Sequence, residues 1–510
     1  MERNLPGGKE VRNMRFLALF LMASAGMAAD LTGNWVVAQP LNDGTTRHTY
    51  FNLKQEGDKI TGGIRTGQFF YHVAESKALP DGFAITGSML DGDQERKAQY
   101  QVRLVGDELH ILTWRRANQP PAESVAHRTA AGEGAMPAKI PVPALHKVPY
   151  NGLAKTPPMG WNSWNKFASR VDDAAVRGMA DAMVSSGMKD AGYVYINIDD
   201  TWEGERDAGG NITSNKKFPG MKALADYVHG KGLKLGIYSS PGPNTCAGYE
   251  GSYGHEEQDA RTWAAWGIDY LKYDWCGARN IYTDDEMQAV YQKMGDALRK
   301  AGRPIVYSLC QYGRAEVWKW GPEVSGNLWR TTYDIHDSWD SMMKIGFSQS
   351  GLAQYAAPGH WNDPDMLEIG NGGMKENEYR VHMSLWSMLA APLIAGNDLR
   401  SMTQEIKDIL MNREVIAVDQ DGAGQQARRA SPEGAQEVWV RELKGGAHAV
   451  ALFNKAAEPA KMTLKWSAVG GTPKSVRDLW SHQDLTASGD GWTAGIPAHG
   501  AVMLRISGGE

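Results

Sequence analysis

Short apolar runs in this chain end repeatedly in acids. Asp199 and Asp200 follow Ile196-Asn197-Ile198, Asp274 follows Leu271-Lys272-Tyr273, Asp334 follows Arg330-Thr331-Thr332-Tyr333, and Asp363 and Asp365 follow Trp361-Asn362. Two carboxylates, one ionised and one protonated, can break a glycosidic bond. Lys272 and Arg330 are cations that keep one acid ionised, while burial and like-charge repulsion raise the other. In the retaining form of this chemistry the pair stands about 5 Å apart, so that one carboxylate attacks the anomeric carbon directly. A single Asp at such a position reads equally well as the N-cap of a following helix. Four acid-ended runs with Trp and basic residues among them favour a sugar site. Asp clusters also suit magnesium or calcium. With no short Asp-rich loop, and with Lys272 and Arg330 beside the acids, no metal site is expected.

For these acids to converge, the runs that carry them must be neighbouring strands of one parallel sheet. Eight candidate strands fall at 159–161, 193–198, 233–238, 270–273, 305–309, 328–332, 359–361 and 393–395. Helix-length amphipathic stretches separate them, such as 172–190, which runs into the Ala191-Gly192 stop. The pattern predicts a (β/α)8 TIM barrel over 151–418, whose active site lies at the strand C-terminal ends. Before it, 30–130 alternates in the manner of hairpins, at 49–54, 59–64, 99–104 and 108–112, and predicts an all-β module of small-barrel or sandwich type. Residues 131–150, rich in Ala, Gly and Pro, read as a linker. Beyond the barrel, 419–510 predicts a C-terminal antiparallel β-sandwich, with strands near 438–440, 449–453, 461–466 and 501–506.

With 510 residues, 42% of them hydrophobic, the chain can bury several cores. A net charge of -5 without a long basic run excludes nucleic acid as the expected partner. Trp outnumbers Phe, 18 to 10, and indole stacks well on a sugar face, although most of these Trp are expected to fill cores and seams. Within 1–29, the stretch from Arg12 to Ala29 holds two Arg, the apolar run 16–25 and small residues at Ala28 and Ala29, the order of a secretory signal peptide. The expected destination is therefore periplasmic or extracellular, with no membrane span in the mature protein. Three cysteines allow at most one intrachain disulfide.

The strings Thr156-Pro157-Pro158-Met159-Gly160-Trp161-Asn162-Ser163-Trp164, Ile198-Asp199-Asp200, Leu271-Lys272-Tyr273-Asp274, Trp329-Arg330-Thr331-Thr332-Tyr333-Asp334-Ile335 and Trp361-Asn362-Asp363-Pro364-Asp365-Met366 occur in one order. With these motifs the chain from about Thr156 onward resembles glycoside hydrolase family 27, the α-galactosidase or melibiase family. The resemblance implies a retaining exo-glycosidase without a cofactor, with Asp274 as nucleophile and Asp334 as acid/base. It implies that Asp199 and Asp200 hold the sugar O4 and O6, that Lys272 and Arg330 are further polar clamps, and that Trp164, Tyr238 and Met366 are contacts. Asp365 is expected to support the barrel mouth. Cys246 and Cys276 match the family's disulfide pair, and the unpaired Cys310 lies in the segment facing O2.

Tyr312 stands where many members carry Trp, and still crowds out a 2-acetamido group, which weakens an α-N-acetylgalactosaminidase reading. Asp199 in place of a longer Glu leaves room for a hydroxymethyl group, against a β-L-arabinopyranosidase. His336 stays outside the expected catalytic set. A non-catalytic carbohydrate-binding protein on this scaffold would lack the catalytic acids, and none is missing. The implied partner is a galactose-containing oligosaccharide, polysaccharide or glycoconjugate, and a homo-oligomer is compatible with the family.

Overall fold

The computed structural model describes residues 30–91, 94–114 and 120–508; the leader expected over 1–29 lies outside the described residues. Eight antiparallel strands come first: β1 (Gly33–Pro40), β2 (Thr46–Glu56), β3 (Lys59–Thr66), β4 (Phe69–Leu79), β5 (Gly82–Asp91), β6 (Gln94–Val105), β7 (Glu108–Thr113) and β8 (Ala122–Arg128). Each pairs with its successor, and β1 with β8 closes the sheet, which decides for the barrel over the sandwich. Inward-facing Trp35, Phe51, Ile64, Phe83, Val102 and Ile111 fill it. Arg128 lies 4.2 Å from the Trp35 ring at the closing seam.

The linker is not a loose spacer. Without helix or strand over 136–158, it is strapped along the next domain. Tyr253 Oη donates to Ala138 O at 2.7 Å, Ile140 N to Tyr253 Oη at 2.8 Å and Tyr282 Oη to Ile140 O at 2.9 Å, while Val148 is fully buried.

The parallel sheet follows: β9 (Met159–Asn162), β10 (Tyr195–Asn197), β13 (Lys234–Ser239), β14 (Tyr270–Asp274), β15 (Val306–Cys310), β16 (Leu328–Arg330), β17 (Trp361–Asp363) and β18 (Leu393–Ala395). A small hairpin, β11 (Glu203–Arg206) and β12 (Ile212–Ser214), is inserted after β10. The sheet order is β17-β16-β15-β14-β13-β10-β9-β18, and a single bridge from Leu367 to Ala395 spans the remaining gap. Helices cover the outer face, so the strands are buried on both sides and read as short apolar runs. The helix Asp173–Ser185 starts where Asp172 accepts from Ala175 N at 2.8 Å. Inside, space is so short that a Cβ on Gly236 would stand 2.0 Å from Asn197 Oδ1.

Antiparallel strands between Arg428 and Ser507 form a six-stranded sheet and a two-stranded one with a core between them. Trp439, Phe453 and Met503 instead belong to the core of the parallel barrel. Phe347 meets Trp439 at 5.9 Å and Phe453 at 5.3 Å, edge to face.

Candidate active site

The strand C-terminal ends open onto a cavity of about 680 Å³. Trp164, Asp199, Asp200, Tyr238, Cys246, Lys272, Asp274, Tyr312, Arg330, Asp334 and Met366 all line it. Cys310 does not. Its thiol, at the end of β15, is buried against Arg330, 3.7 Å from Nη1. Cys310, expected among the sugar contacts, meets the guanidinium here. Cys246 and Cys276 form the disulfide, with Cα atoms 5.0 Å apart.

Each acid is held differently. Asp199 Oδ2 accepts from Lys272 Nζ and Asn162 Nδ2, both at 2.8 Å. Asp200 accepts from Thr201 N and Ala247 N, each at 2.7 Å. Asp274 Oδ1 accepts the Tyr312 hydroxyl at 2.5 Å, and Tyr312 stacks on the exposed Tyr333 at 5.7 Å. Arg330 Nη2 reaches Asp334 and Asp365, both at 3.0 Å, and Asp365 Oδ2 accepts from Ile335 N at 2.9 Å. Asp365 thus props the segment that carries Asp334, besides lining the cavity.

Electrostatics separate these groups. Burial pushes Asp200 up to about 7 and Asp274 up to about 6, the latter against the pull of Lys272 and the Tyr312 hydrogen bond. At the open mouth the pocket walls desolvate Asp334 in part, but the Arg330 guanidinium and Lys272 outweigh this and hold that carboxyl below its ordinary value. Burial opposes the charge of Lys272, yet Asp199 and Asp274 leave its ammonium well above the ordinary lysine range.

Three residues just past strand ends at this mouth have left-handed backbone: Thr201 (φ 85°), Tyr312 (φ 64°) and Asp365 (φ 90°). Non-glycine residues held there store strain, which concentrates at functional sites. The turn at Tyr312 is what swings its hydroxyl onto Asp274.

Glu368 was not expected. It lines the cavity, is 3% exposed, bonds Asn165 and Asn371, and burial pushes it up to about 7. It follows no strand, so looking for acids at strand ends passes over it. Its nearest signal is its place two residues after Met366. Among the described residues the metal-type grouping of Cys246, Asp274 and Cys276 has both sulfurs committed to the disulfide.

The alpha galactosidase A family matches residues 156–421, and the alpha galactosidase C-terminal beta sandwich domain matches 433–506. Alpha-galactosidase A of Cellvibrio japonicus is 48% identical over 384 residues, 70% of this chain and 93% of that protein. Alpha-galactosidase 3 of Arabidopsis thaliana is 49% identical over 367 residues, 70% of this chain and 83% of its own length. The crystal structure of alpha-galactosidase I from Mortierella vinacea superposes with a TM-score of 0.69 at 40% identity, covering 70% of this chain and 98% of that one. Sequence and fold are thus shared with these relatives, and the chain belongs to the alpha galactosidase A family, glycoside hydrolase family 27.

Proposed function

We propose that this chain hydrolyses terminal α-linked galactose from galactosides by double displacement, with Asp274 as nucleophile and Asp334 as acid/base. The observation that carries the assignment is the asymmetry of the two carboxyls. Asp274 sits at the cavity floor, 4% exposed, while the Asp334 side chain is 64% exposed at the mouth, where a leaving group exits and water enters. Asp274 attacks the anomeric carbon, Asp334 protonates the departing oxygen, and Asp334 then takes a proton from the water that releases galactose.

Asp199 with Lys272, and Asp200, are assigned to the sugar hydroxyls, and Tyr312 and Met366 to the walls. We assign 151–418 to catalysis and 419–510 to shielding the barrel's outer face. Among the described residues no helix is long and apolar enough to cross a membrane. The leader pattern and the disulfide support export. The test is hydrolysis of p-nitrophenyl α-galactoside, α-N-acetylgalactosaminide and β-L-arabinopyranoside, with NMR of the first anomer. Fast release of α-galactose is expected. Preference for another sugar overturns the roles of Asp199 and Tyr312, and a first-formed β-anomer overturns double displacement.

A further inference from the structure

The N-terminal barrel grips the catalytic mouth at the turn Asn244–Glu250 that follows β13. Inside this turn Gly248 N donates to Thr245 O at 3.0 Å and Tyr249 N to Thr245 Oγ1 at 2.9 Å. Its inner edge faces the sugar cavity: Cys246 lines it, and Ala247 N is the donor on Asp200 Oδ2. Its outer edge is gripped by the barrel at three points. Gln68, at the tip between β3 and β4, donates from Nε2 to Cys246 O at 3.1 Å. Arg65, in β3, donates to Asn244 Oδ1 at 2.7 Å, and Asp43, before β2, accepts the Tyr249 hydroxyl at 2.5 Å.

The grip reaches the far side of the disulfide as well. Asn280 Nδ2 donates to Gln68 O at 2.6 Å, so one residue of the barrel bridges both arms of the Cys246–Cys276 cross-link. Contact is close: a Cβ on Gly67 would stand 3.1 Å from Gly248 Cα. Asp200 takes its two main-chain donors from different segments, Thr201 from its own strand end and Ala247 from this turn. A turn free to drift would leave a buried carboxyl with one donor fewer and a less defined orientation.

We infer that the N-terminal barrel is a positioning element of the sugar pocket, with Gln68 and Arg65 setting the turn whose Ala247 amide orients Asp200. The inference rests on the assignment of Asp200 to the sugar. It gives the module a share in substrate affinity that none of the catalytic residues supplies.

The test uses full-length protein and p-nitrophenyl α-galactoside, a substrate too small to reach the barrel. Gln68→Ala combined with Arg65→Ala is expected to raise KM and the Ki for galactose about tenfold while kcat stays within about twofold, the signature of lost ground-state binding. Tyr249→Phe, which removes only a hydroxyl, gives the same direction with a smaller shift and serves if the double variant misfolds. In an Asp200→Asn background, itself raised in KM, the same changes add nothing. If Asp200→Asn raises KM while neither clamp variant does, the clamp is overturned alone. An Asp200→Asn protein with unchanged KM overturns the site assignment and the inference together.

Discussion

Asp274 and Asp334 differ in what neutralises them, and that difference sets how each variant fails. Asp274→Asn removes the attacking group, so turnover is expected to fall by several orders of magnitude with the fold intact. Asp334→Asn is expected to cost about 10²–10⁴-fold. Azide separates the two roles: direct attack on substrate in the Asp274 variant yields the β-galactosyl azide, whereas attack on the covalent intermediate in the Asp334 variant yields the α-azide. NMR of the products reads the outcome, and the same anomer from both sinks the assignment. In the free enzyme the acid limb of kcat/KM is expected near pH 6, where Asp274 ionises. Because the Tyr312 hydroxyl favours the ionised form, Tyr312→Phe moves that limb to higher pH.

At this scale the sequence was informative where one string held both a strand and its acid, as in Leu271-Lys272-Tyr273-Asp274. It was silent where geometry depends on a strained turn. Nothing in Cys310-Gln311-Tyr312 announces a left-handed residue, and so nothing announced a hydroxyl on the nucleophile.

The strands of the parallel barrel are only three to six residues long, and their packing leaves no slack at the glycines. Gly236→Ala pushes a methyl group onto Asn197 of the neighbouring strand, and a loss of about 1–3 kcal/mol is expected from urea unfolding. A wild-type midpoint in that variant would mean the sheet yields there. Buried acids at the strand ends add a pH signature. The carboxyls of Asp200, Asp274, Asp363 and Glu368 are raised to between about 6 and about 7, so their contribution favours the fold below their unfolded values near 4 and is lost as pH rises through 6–7. The thermal midpoint is expected to fall between about pH 5 and about pH 8, less steeply in Asp363→Asn.

Element boundaries were legible where apolar runs were compact, as at 305–309 against the observed Val306–Cys310. The bulge between Val73 and Glu75 breaks the alternation of β4, which hid that strand. The β11–β12 hairpin, polar and short, gave no periodic signal.

The whole molecule has two kinds of seam. Between the parallel barrel and the C-terminal sheet the seam is apolar, with Phe347, Trp439 and Phe453 in one continuous core. Between the N-terminal barrel and the rest it is polar, made of hydrogen bonds and the strapped linker, and the two cores are separate. Calorimetry is therefore expected to show two transitions, one for the N-terminal barrel and one shared by the catalytic barrel and sandwich. Three coincident or three separate transitions would contradict this division.

The two barrels also differ in how far along the chain their closing partners lie. In the N-terminal one every strand pairs with its immediate successor until β8 meets β1, whereas the catalytic one waits for Leu393–Ala395 to reach Met159–Asn162. N-terminal domains emerge first from synthesis and fold as units. The tip carrying Gln68 is thus in place as a finished surface before the turn that orients Asp200 has formed. A barrel completed first would offer the later catalytic pocket a template for that turn.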